Sequence, residues 1–568
     1  MNFDQINNIK NLLNKKEKTL ISFIFVMMIL NSFLEILSIG ALIPLIILFF
    51  DGSSSSTFSN IPFLKNIFIN IPFALELKNV LFFVVIIFSV KNLFIIFYYF
   101  CLGKIIMNIR LRFVNDLYKR YLSQNYEFFL SKNSAEIIRN INEAQYFSVI
   151  MVTYLTLFLE LLVILFLSIF LLLINFKVTL LVIIFLSIAI YLINKFSKNK
   201  LYLWGFERQK YQKDINKNIF ENFLNVKEIK ILNKENLFLK KLIKIDKFLA
   251  NIDFKTDIFQ QLPRTIIETI CVSIICFVIF ISLRFLSLSE IILLVGIYIA
   301  SLVRLMPSAT RISSAIQRIV FFKPLINLVN KEFKLKTNNK IFQKINIHKK
   351  FQQLKLSNVS FNYKKNNKIL SNIDMTIHKN SISCFVGKNG SGKTTLINII
   401  SGLLKPTKGK VLYNNDFKLN KNFLNVGYVA QNINLIDDTI KNNIIFGNDN
   451  DKFNNKNFLH SIKYSGIDGF INKFPQKYNT IVGDRGIKIS GGQSQRIGIA
   501  RALYNNPEIL ILDEFNSNLD LSSENKIIKN FNILKKTKTI IIITHKKSLI
   551  KFCDNAFLIE NKKLKKIK

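Results

Sequence analysis

Apolar positions along this chain follow two rhythms. Up to about residue 312 they form long unbroken runs; from about 352 they form short β-branched stretches punctuated by glycine. Runs of about 20 apolar residues, the length that crosses ~30 Å of hydrocarbon, fall near 19–50, 79–102, 147–174, 178–195, 265–285 and 290–312. Each predicts a helix through a membrane. The third and fourth are parted only by Asn175, Phe176 and Lys177, which predicts a tight hairpin. The later rhythm, strands alternating with helical segments, predicts an α/β domain. The expected organisation is a polar segment 1–18, an all-α six-span transmembrane domain 19–312, a Lys- and Asn-rich linker 313–350 and an α/β domain 351–568.

Charge in the loops sets the expected direction of the spans. Segments 103–145 and 196–261 are long and rich in Lys and Arg, whereas the alternate loops are short or poor in charge. The positive-inside bias then places both termini in the cytoplasm. The first 18 residues are polar, and the run after them is too long for the apolar core of a signal peptide, so no cleaved leader is expected. Within the first outer loop, Phe63, Leu64, Ile67, Phe68 and Ile71 recur at helical spacing behind Asn60 and Pro62. This pattern fits a short amphipathic helix in the interface, and equally a loop packed on the neighbouring spans.

Half of the 568 residues are hydrophobic, yet 78 Lys and Arg against 36 Asp and Glu leave a formal charge of +42. An oily and basic chain reads as an integral membrane protein with basic inner loops. The basic residues are dispersed rather than gathered into an aromatic-rich module, which speaks against a nucleic-acid partner. The five cysteines have neither metal-ligand spacing nor a disulfide framework.

The chemistry lies in the α/β part. An apolar strand runs into Gly387, followed by Asn389, Gly390, Ser391, Gly392, Lys393, Thr394 and Thr395, and then a helix. This is the phosphate loop G-x-x-x-x-G-K-T in its strand–loop–helix setting. Its glycines let backbone N–H groups wrap phosphates at a helix N-terminus. Lys393 is suited to the β/γ oxygens and the Thr394 hydroxyl to Mg²⁺. A second apolar strand, 508–514, ends in Asp513 and Glu514. Asp513 can hold Mg²⁺ through water, and Glu514 can act as general base toward an attacking water. Between these elements a second Gly-rich turn, Ser490-Gly491-Gly492-Gln493, precedes a helix.

Together these motifs resemble the nucleotide-binding domain of ATP-binding cassette (ABC) transporters, with ATP and Mg²⁺ as the implied cofactors. By that resemblance Tyr363 stacks on adenine, Gln431 is the glutamine that reaches Mg²⁺ and the attacking water, and 480–486 senses a partner subunit. Asp520 ends the loop that follows Asp513 and Glu514, and His545 meets the γ-phosphate. Ile489 and the stretch 515–520 depart mildly from the family pattern. In this family ATP is clamped between the phosphate loop of one subunit and the Ser490–Gln493 turn of another. One cassette with both Glu514 and His545 therefore implies a homodimer, and six preceding spans imply the exporter architecture, with 220–235 a candidate coupling region.

The membrane charges bear on the cargo. Lys91 lies within the second span, Arg264 at the start of the fifth, and Arg304 and Arg311 seven residues apart on the sixth, on either side of Pro307. Intramembrane cations face a cavity or a partner. One reading is a positive lining for a phosphate-bearing amphiphile, Arg being the better phosphate ligand. The other is structural pairing with Glu35, Glu160 and Glu268, Arg264 and Glu268 standing at i, i+4. The segments around Arg264 and Arg304, the outer-loop helix and the total length are similar to the PglK-type flippases of bacterial N-glycosylation. That resemblance implies an inner-membrane flippase for undecaprenyl-pyrophosphate-linked oligosaccharide, with Lys91 standing where an arginine is expected. The alternatives are an exporter of another amphiphile (lipid A-type lipid, drug or peptide) and an ATP-gated channel or regulator.

Overall fold

The computed structural model describes residues 9–42, 77–283, 288–337, 350–363, 368–414, 417–418, 425–447 and 453–568. The chain divides into two compact units, Met1–Gln124 with Phe129–Asn338, and Asn125–Phe128 with Asn339–Lys568. The outer-loop pattern of residues 60–71 lies outside the described residues.

The first unit is helical. Its elements are α1 (Lys15–Gly40), α2 (Leu77–Leu122), α3 (Tyr126–Ser131, shared at the unit boundary), α4 (Ser134–Gln145), α5 (Phe147–Ile174), α6 (Phe176–Leu224), α7 (Val226–Ile231), α8 (Glu235–Ser282), α9 (Leu288–Phe321) and α10 (Lys323–Phe333). Among the described residues, five helices are long and apolar enough to cross a membrane. The pair α9 and α10, bent by 50°, makes a sixth if counted as one span.

Helix length follows from composition. At 1.5 Å per residue, the 49 residues of α6 reach far beyond a bilayer. Its first twenty or so residues are apolar and the remainder polar, so one rod carries both a span and an extension. On α2, Phe82, Phe83, Leu93, Ile96, Phe97 and Phe100 are exposed. Apolar side chains left outward along a membrane-length helix are the surface that acyl chains cover.

The expected hairpin forms: Asn175 ends α5, and its side chain accepts from Val178 N at 3.2 Å to start α6. At the N-terminus, Asn14 and Glu17 form a capping box, and Arg112 grips both Glu17 oxygens at 2.6 and 2.7 Å. Pro263 and Pro307 sit inside α8 and α9, while the 50° bend falls after Phe321 rather than at Pro307.

Residues 313–333, which their Lys and Asn content marks as a linker, are helical. The composition hid an amphipathic pattern: Leu325, Ile326, Val329 and Phe333 are buried along α10, with Pro324 in its first turn. Glu332 anchors that helix, accepting from Tyr121 at 2.9 Å and from Lys132 at 2.9 Å.

The second unit contains β1 (Gln353–Asn362), β2 (Lys368–His378), β3 (Ile382–Val386), α11 (Lys393–Ile400), β4 (Lys408–Tyr413), β5 (Phe417–Lys418), β6 (Val426–Val429), α12 (Ile440–Ile445), α13 (Asn455–Ser465), α14 (Asp468–Ile471), α15 (Gly491–Tyr504), β7 (Ile509–Asp513), α16 (Leu521–Leu534), β8 (Thr539–Thr544), β9 (Asn555–Glu560) and β10 (Lys563–Lys566). An antiparallel sheet has the order β2-β1-β4-β5, and a six-stranded sheet the order β10-β9-β3-β8-β7-β6.

In the larger sheet β3, β8, β7 and β6 run parallel, with Cys384 opposite Ile542 and Asp513 opposite Ile543. The runs of β3, β7 and β8 are buried on both faces, as parallel strands covered by helices must be. The two-residue period separates the cores. Phe385, Ile511, Ile541 and Ile543 pack on the side of α11, while Cys384, Leu510, Leu512 and Ile542 pack on the side of α15 and α16. A third cluster, including Ile440, Phe458, Ile462 and Ile497, holds α12, α13 and the start of α15 together. The carboxyl ends of β3 and β7 lie next to one another across β8, where open α/β sheets bind ligands.

Candidate functional site

The loop after β3 has the backbone that its glycines allow. Gly390 and Gly392 take φ of 78° and 102°, a region costly for any residue with a Cβ. A Cβ at Gly387 would stand 2.6 Å from the carbonyl oxygen of Ile559. Lys393 is nearly buried, and its Nζ donates to the carbonyls of Gly387 at 2.8 Å and Lys388 at 3.0 Å. The loop thus keeps its ammonium folded inward over the strand end.

Asn389, Gly390, Gly392, Lys393, Thr394 and Thr395 line a cavity of about 420 Å³ together with Gln431, Asp513 and Glu514. Gly387 and Ser391 of the same loop do not line the cavity, and the Ser391 hydroxyl is buried beside Gly387. Tyr363 is half-exposed, edge-on to Phe361 at 4.9 Å, with its hydroxyl 3.3 Å from Thr395 Oγ1. An exposed ring beside the loop is the placement that base stacking needs.

Glu514 is held tightly. Gln431 Nε2 donates to Glu514 Oε2 at 2.7 Å, and His545 Nδ1 stands 3.7 Å from Oε1. Glu514 also has φ of 46°, a conformation that costs a non-glycine residue of order 1–3 kcal/mol. Its N–H donates to the carbonyl of Ile543 at 3.0 Å, which fixes this turn to the neighbouring strand. Strain at the end of β7 thereby aims the carboxylate into the cavity.

Asp513 is buried, and Tyr428 donates to its Oδ2 at 3.2 Å. Burial pushes the Asp513 carboxyl above the ordinary carboxylate value; the Tyr428 hydroxyl pulls it down, Glu514 pushes it up, and Lys393 pulls it down. Tyr428 was not singled out by sequence reasoning. Its signal was the two-residue period of β6, which puts Tyr428 out of phase with the buried Val429.

Thr394, Asp513 and the amide oxygen of Gln431 make a set of hard oxygen donors, which fits Mg²⁺ shared with phosphates. The Gln431 amide nitrogen is already engaged by Glu514, so its oxygen is the atom left for a metal. No group of three or more His, Cys, Asp or Glu suited to a metal occurs among the described residues.

The Ser490–Gln493 turn does not line this cavity. Ser490 caps α15 in a capping box with Gln493, its N–H reaching Gln493 Oε1 at 3.0 Å. A Cβ at Gly492 would stand 2.8 Å from Asn518 O, so the turn rests directly on the loop that ends at Asp520. Asp520 caps α16, accepting from Ser523 N at 3.1 Å and from the Ser522 hydroxyl. These groups hold its carboxyl well below the usual range.

Residues 370–517 match the family model described as ABC transporter. A "Putative multidrug export ATP-binding/permease protein" of Staphylococcus aureus (strain NCTC 8325 / PS 47) is 39% identical over 214 residues, 37% of this chain and 37% of that protein. A protein of the same name from the bovine strain RF122 / ET3-1 is 38% identical over the same span. The match thus spans little more than a third of these curated relatives. Over nearly the whole chain, the structure is similar to a bacterial Atm1-family ABC exporter solved with ATP bound. The TM-score is 0.75 at 18% identity, over 96% of this chain and 94% of that one. The fold is that of an ABC exporter.

Within the exporter fold the membrane charges are mostly paired. Arg304 Nη2 lies 2.8 Å from Glu35 Oε1, and Lys91 Nζ lies 3.6 Å from Glu35 Oε2 and 3.5 Å from the Ser38 hydroxyl. Arg311 Nε lies 2.6 Å from Glu160 Oε1. The Arg264–Glu268 pairing that one reading allowed is not among the ion pairs of the described residues; both side chains are exposed on α8. Arg304 and Arg311 share a face, yet α1 and α5 claim one each, so the four cations are not one continuous lining. The short helix α7 falls in the candidate coupling region, with Phe223, Ile231 and Leu232 strongly exposed around it.

Proposed function

We propose that this chain is one half of an ATP-driven ABC exporter that hydrolyses ATP to move an amphiphile across a bacterial cell membrane. The observation that carries this reading is the phosphate-loop cavity in which Gln431 and His545 hold Glu514 at 2.7 and 3.7 Å, in a chain that also bears membrane-length apolar helices.

In this reading Gly390, Gly392 and Lys393 cradle the phosphates, Tyr363 carries the base, and Glu514 accepts the proton of the attacking water. Bound Mg²⁺ would supply charge neutralisation at the β/γ oxygens, held by Thr394, Asp513 and Gln431. The Ser490–Gln493 turn does not line its own chain's cavity, which supports a homodimer in which each turn completes the partner's site. Both termini would lie in the cytoplasm, by the charge of the inner loops.

A drug-like or lipid-like amphiphile is the favoured cargo, supported by the names of the relatives and by the pairing of the membrane cations. The second reading is a flippase for polyprenyl-pyrophosphate-linked oligosaccharide. It draws on Glu35, whose one negative charge is shared by Lys91 and Arg304 and leaves a net positive site.

Purified protein in proteoliposomes tests both. Wild type should hydrolyse ATP and move a fluorescent amphiphilic dye with ATP present, and Glu514→Gln should bind ATP while hydrolysis falls by about 10²-fold or more. ATP hydrolysis with no movement of either dye or a labelled polyprenyl-pyrophosphate glycan would defeat the exporter reading.

A further inference from the structure

A second polar cavity, of about 450 Å³, lies in the helical unit, in the polar stretches of α2, α4, the start of α5 and α6. Arg110, Arg139 and Arg208 line it with Glu143, and amides such as Gln145 and Gln212 complete the wall. Three guanidinium groups and one carboxylate give it a formal charge of +2. None of these residues belongs to the phosphate loop or to the membrane charges.

The polar groups here are only partly satisfied by protein. Glu143 is 3% exposed, and its Oε2 is buried without a hydrogen-bond partner. Its Oε1 meets Arg208 only at 3.8 Å, and Asp253 meets Arg208 at 3.9 Å, both beyond hydrogen-bond reach. The Arg208 guanidinium lies instead over the ring of Tyr146, 5.3 Å from its centroid. Arg110 donates to Gln145 Oε1 at 2.8 Å, and Arg139 to its neighbour Asn140 at 2.7 Å.

The arrangement is held from behind. A Cβ at Gly205 would stand 2.0 Å from the carbonyl oxygen of Phe321, so α6 touches the end of α9 one turn before Arg208. A buried carboxylate oxygen lacking a donor normally has a ligand, an ion or water to complete it. Several guanidinium groups beside it favour an anion with tetrahedral oxygens. Amides and a carboxylate beside them suit hydroxyl groups, which both donate and accept.

We propose that this cavity binds a small phosphate-bearing polyol, such as a phosphosugar, free or as the headgroup of a lipid. The arginines hold the phosphate, and Glu143 with the neighbouring amides reads the hydroxyls. The site stands whatever the exported cargo is.

Calorimetric titration of the full-length protein in phosphatidylcholine nanodiscs tests it, with saturating ADP occupying the phosphate loop. Glucose 1-phosphate should bind at least tenfold more tightly than glucose or inorganic phosphate. Arg139→Gln and, separately, Arg110→Gln, both on accessible side chains, should each weaken it by about tenfold, the loss expected for one charged hydrogen bond. Glu143→Gln should narrow the preference for glucose 1-phosphate over inorganic phosphate.

Nanodiscs containing phosphatidylinositol separate the two sources. Weaker apparent binding of glucose 1-phosphate there than in phosphatidylcholine alone, by a factor that shrinks in Arg139→Gln, assigns the site to a lipid headgroup. Unchanged binding assigns it to a soluble ligand. No saturable glucose 1-phosphate binding in either membrane, or binding indifferent to both arginine substitutions, overturns the proposal.

Discussion

Glu35 is the most informative residue to remove from the membrane part. It is 3% exposed on α1 and serves two cations, Arg304 at 2.8 Å and Lys91 at 3.6 Å. The three are unequal. Glu35→Gln leaves two poorly exposed cations without a counter-charge, a change that costs about 3–5 kcal/mol for buried pairs. Lys91→Gln leaves Glu35 still bonded to Arg304, and the longer contact it removes should cost about 1 kcal/mol, in the range of weak ion pairs.

At ~2–4 °C of melting temperature per kcal/mol for domains of a few hundred residues, Glu35→Gln should lower the midpoint on the order of 10 °C. Lys91→Gln should lower it by a few degrees. Arg304→Gln should fall between them, because Lys91 remains to neutralise Glu35. Thermal unfolding of the full-length protein in one detergent, followed by intrinsic fluorescence, gives the ranking. The double variant Glu35→Gln/Arg304→Gln should recover part of the loss, since it leaves one cation, Lys91, without a counter-charge instead of two. Equal midpoints for Glu35→Gln and Lys91→Gln, or strict additivity within ~0.5 kcal/mol in the double variant, would refute the shared-carboxylate reading.

Two further perturbations probe the rest of the molecule. Tyr428→Phe removes the hydroxyl that lowers Asp513, so the carboxylate should protonate at a higher pH than in wild type. The acid limb of the ATPase profile should then move upward in pH, with the Mg²⁺ requirement raised up to about tenfold; an unmoved limb would remove Tyr428 from the site. Gly205→Ala places a Cβ 2.0 Å from a backbone oxygen. An overpacking cost of about 1–3 kcal/mol should outweigh the ~1 kcal/mol that alanine gains in a helix, so a raised melting temperature would argue against the close approach.

Sequence alone determined the two halves of the fold, because both follow from local rules. Membrane-length apolar runs must be helices where no water is present to satisfy the backbone, and Asn175 could only be a turn between two of them. The phosphate loop was equally plain: Gly390, Gly392 and Lys393 fall within four consecutive residues, and their chemistry depends on backbone geometry that glycine encodes. Asp513 and Glu514 were found because a strand end puts adjacent residues at one rim of a sheet. The helical character of residues 313–333 was missed because composition outweighed a pattern of only four buried apolar positions on α10.

What needed the tertiary structure was partnership across distance. No spacing says that Glu35 would face Lys91 and Arg304, residues 56 and 269 positions away along the chain by number. Nor does any spacing separate that triad from the Arg311–Glu160 pair. Tyr428 reaches Asp513 only because β6 lies beside β7. The arginines at 110, 139 and 208 looked like dispersed loop charge until three helices brought them around Glu143. Charge in a sequence is additive, but its effect depends on inverse distance and on burial, and both of those are decided by packing.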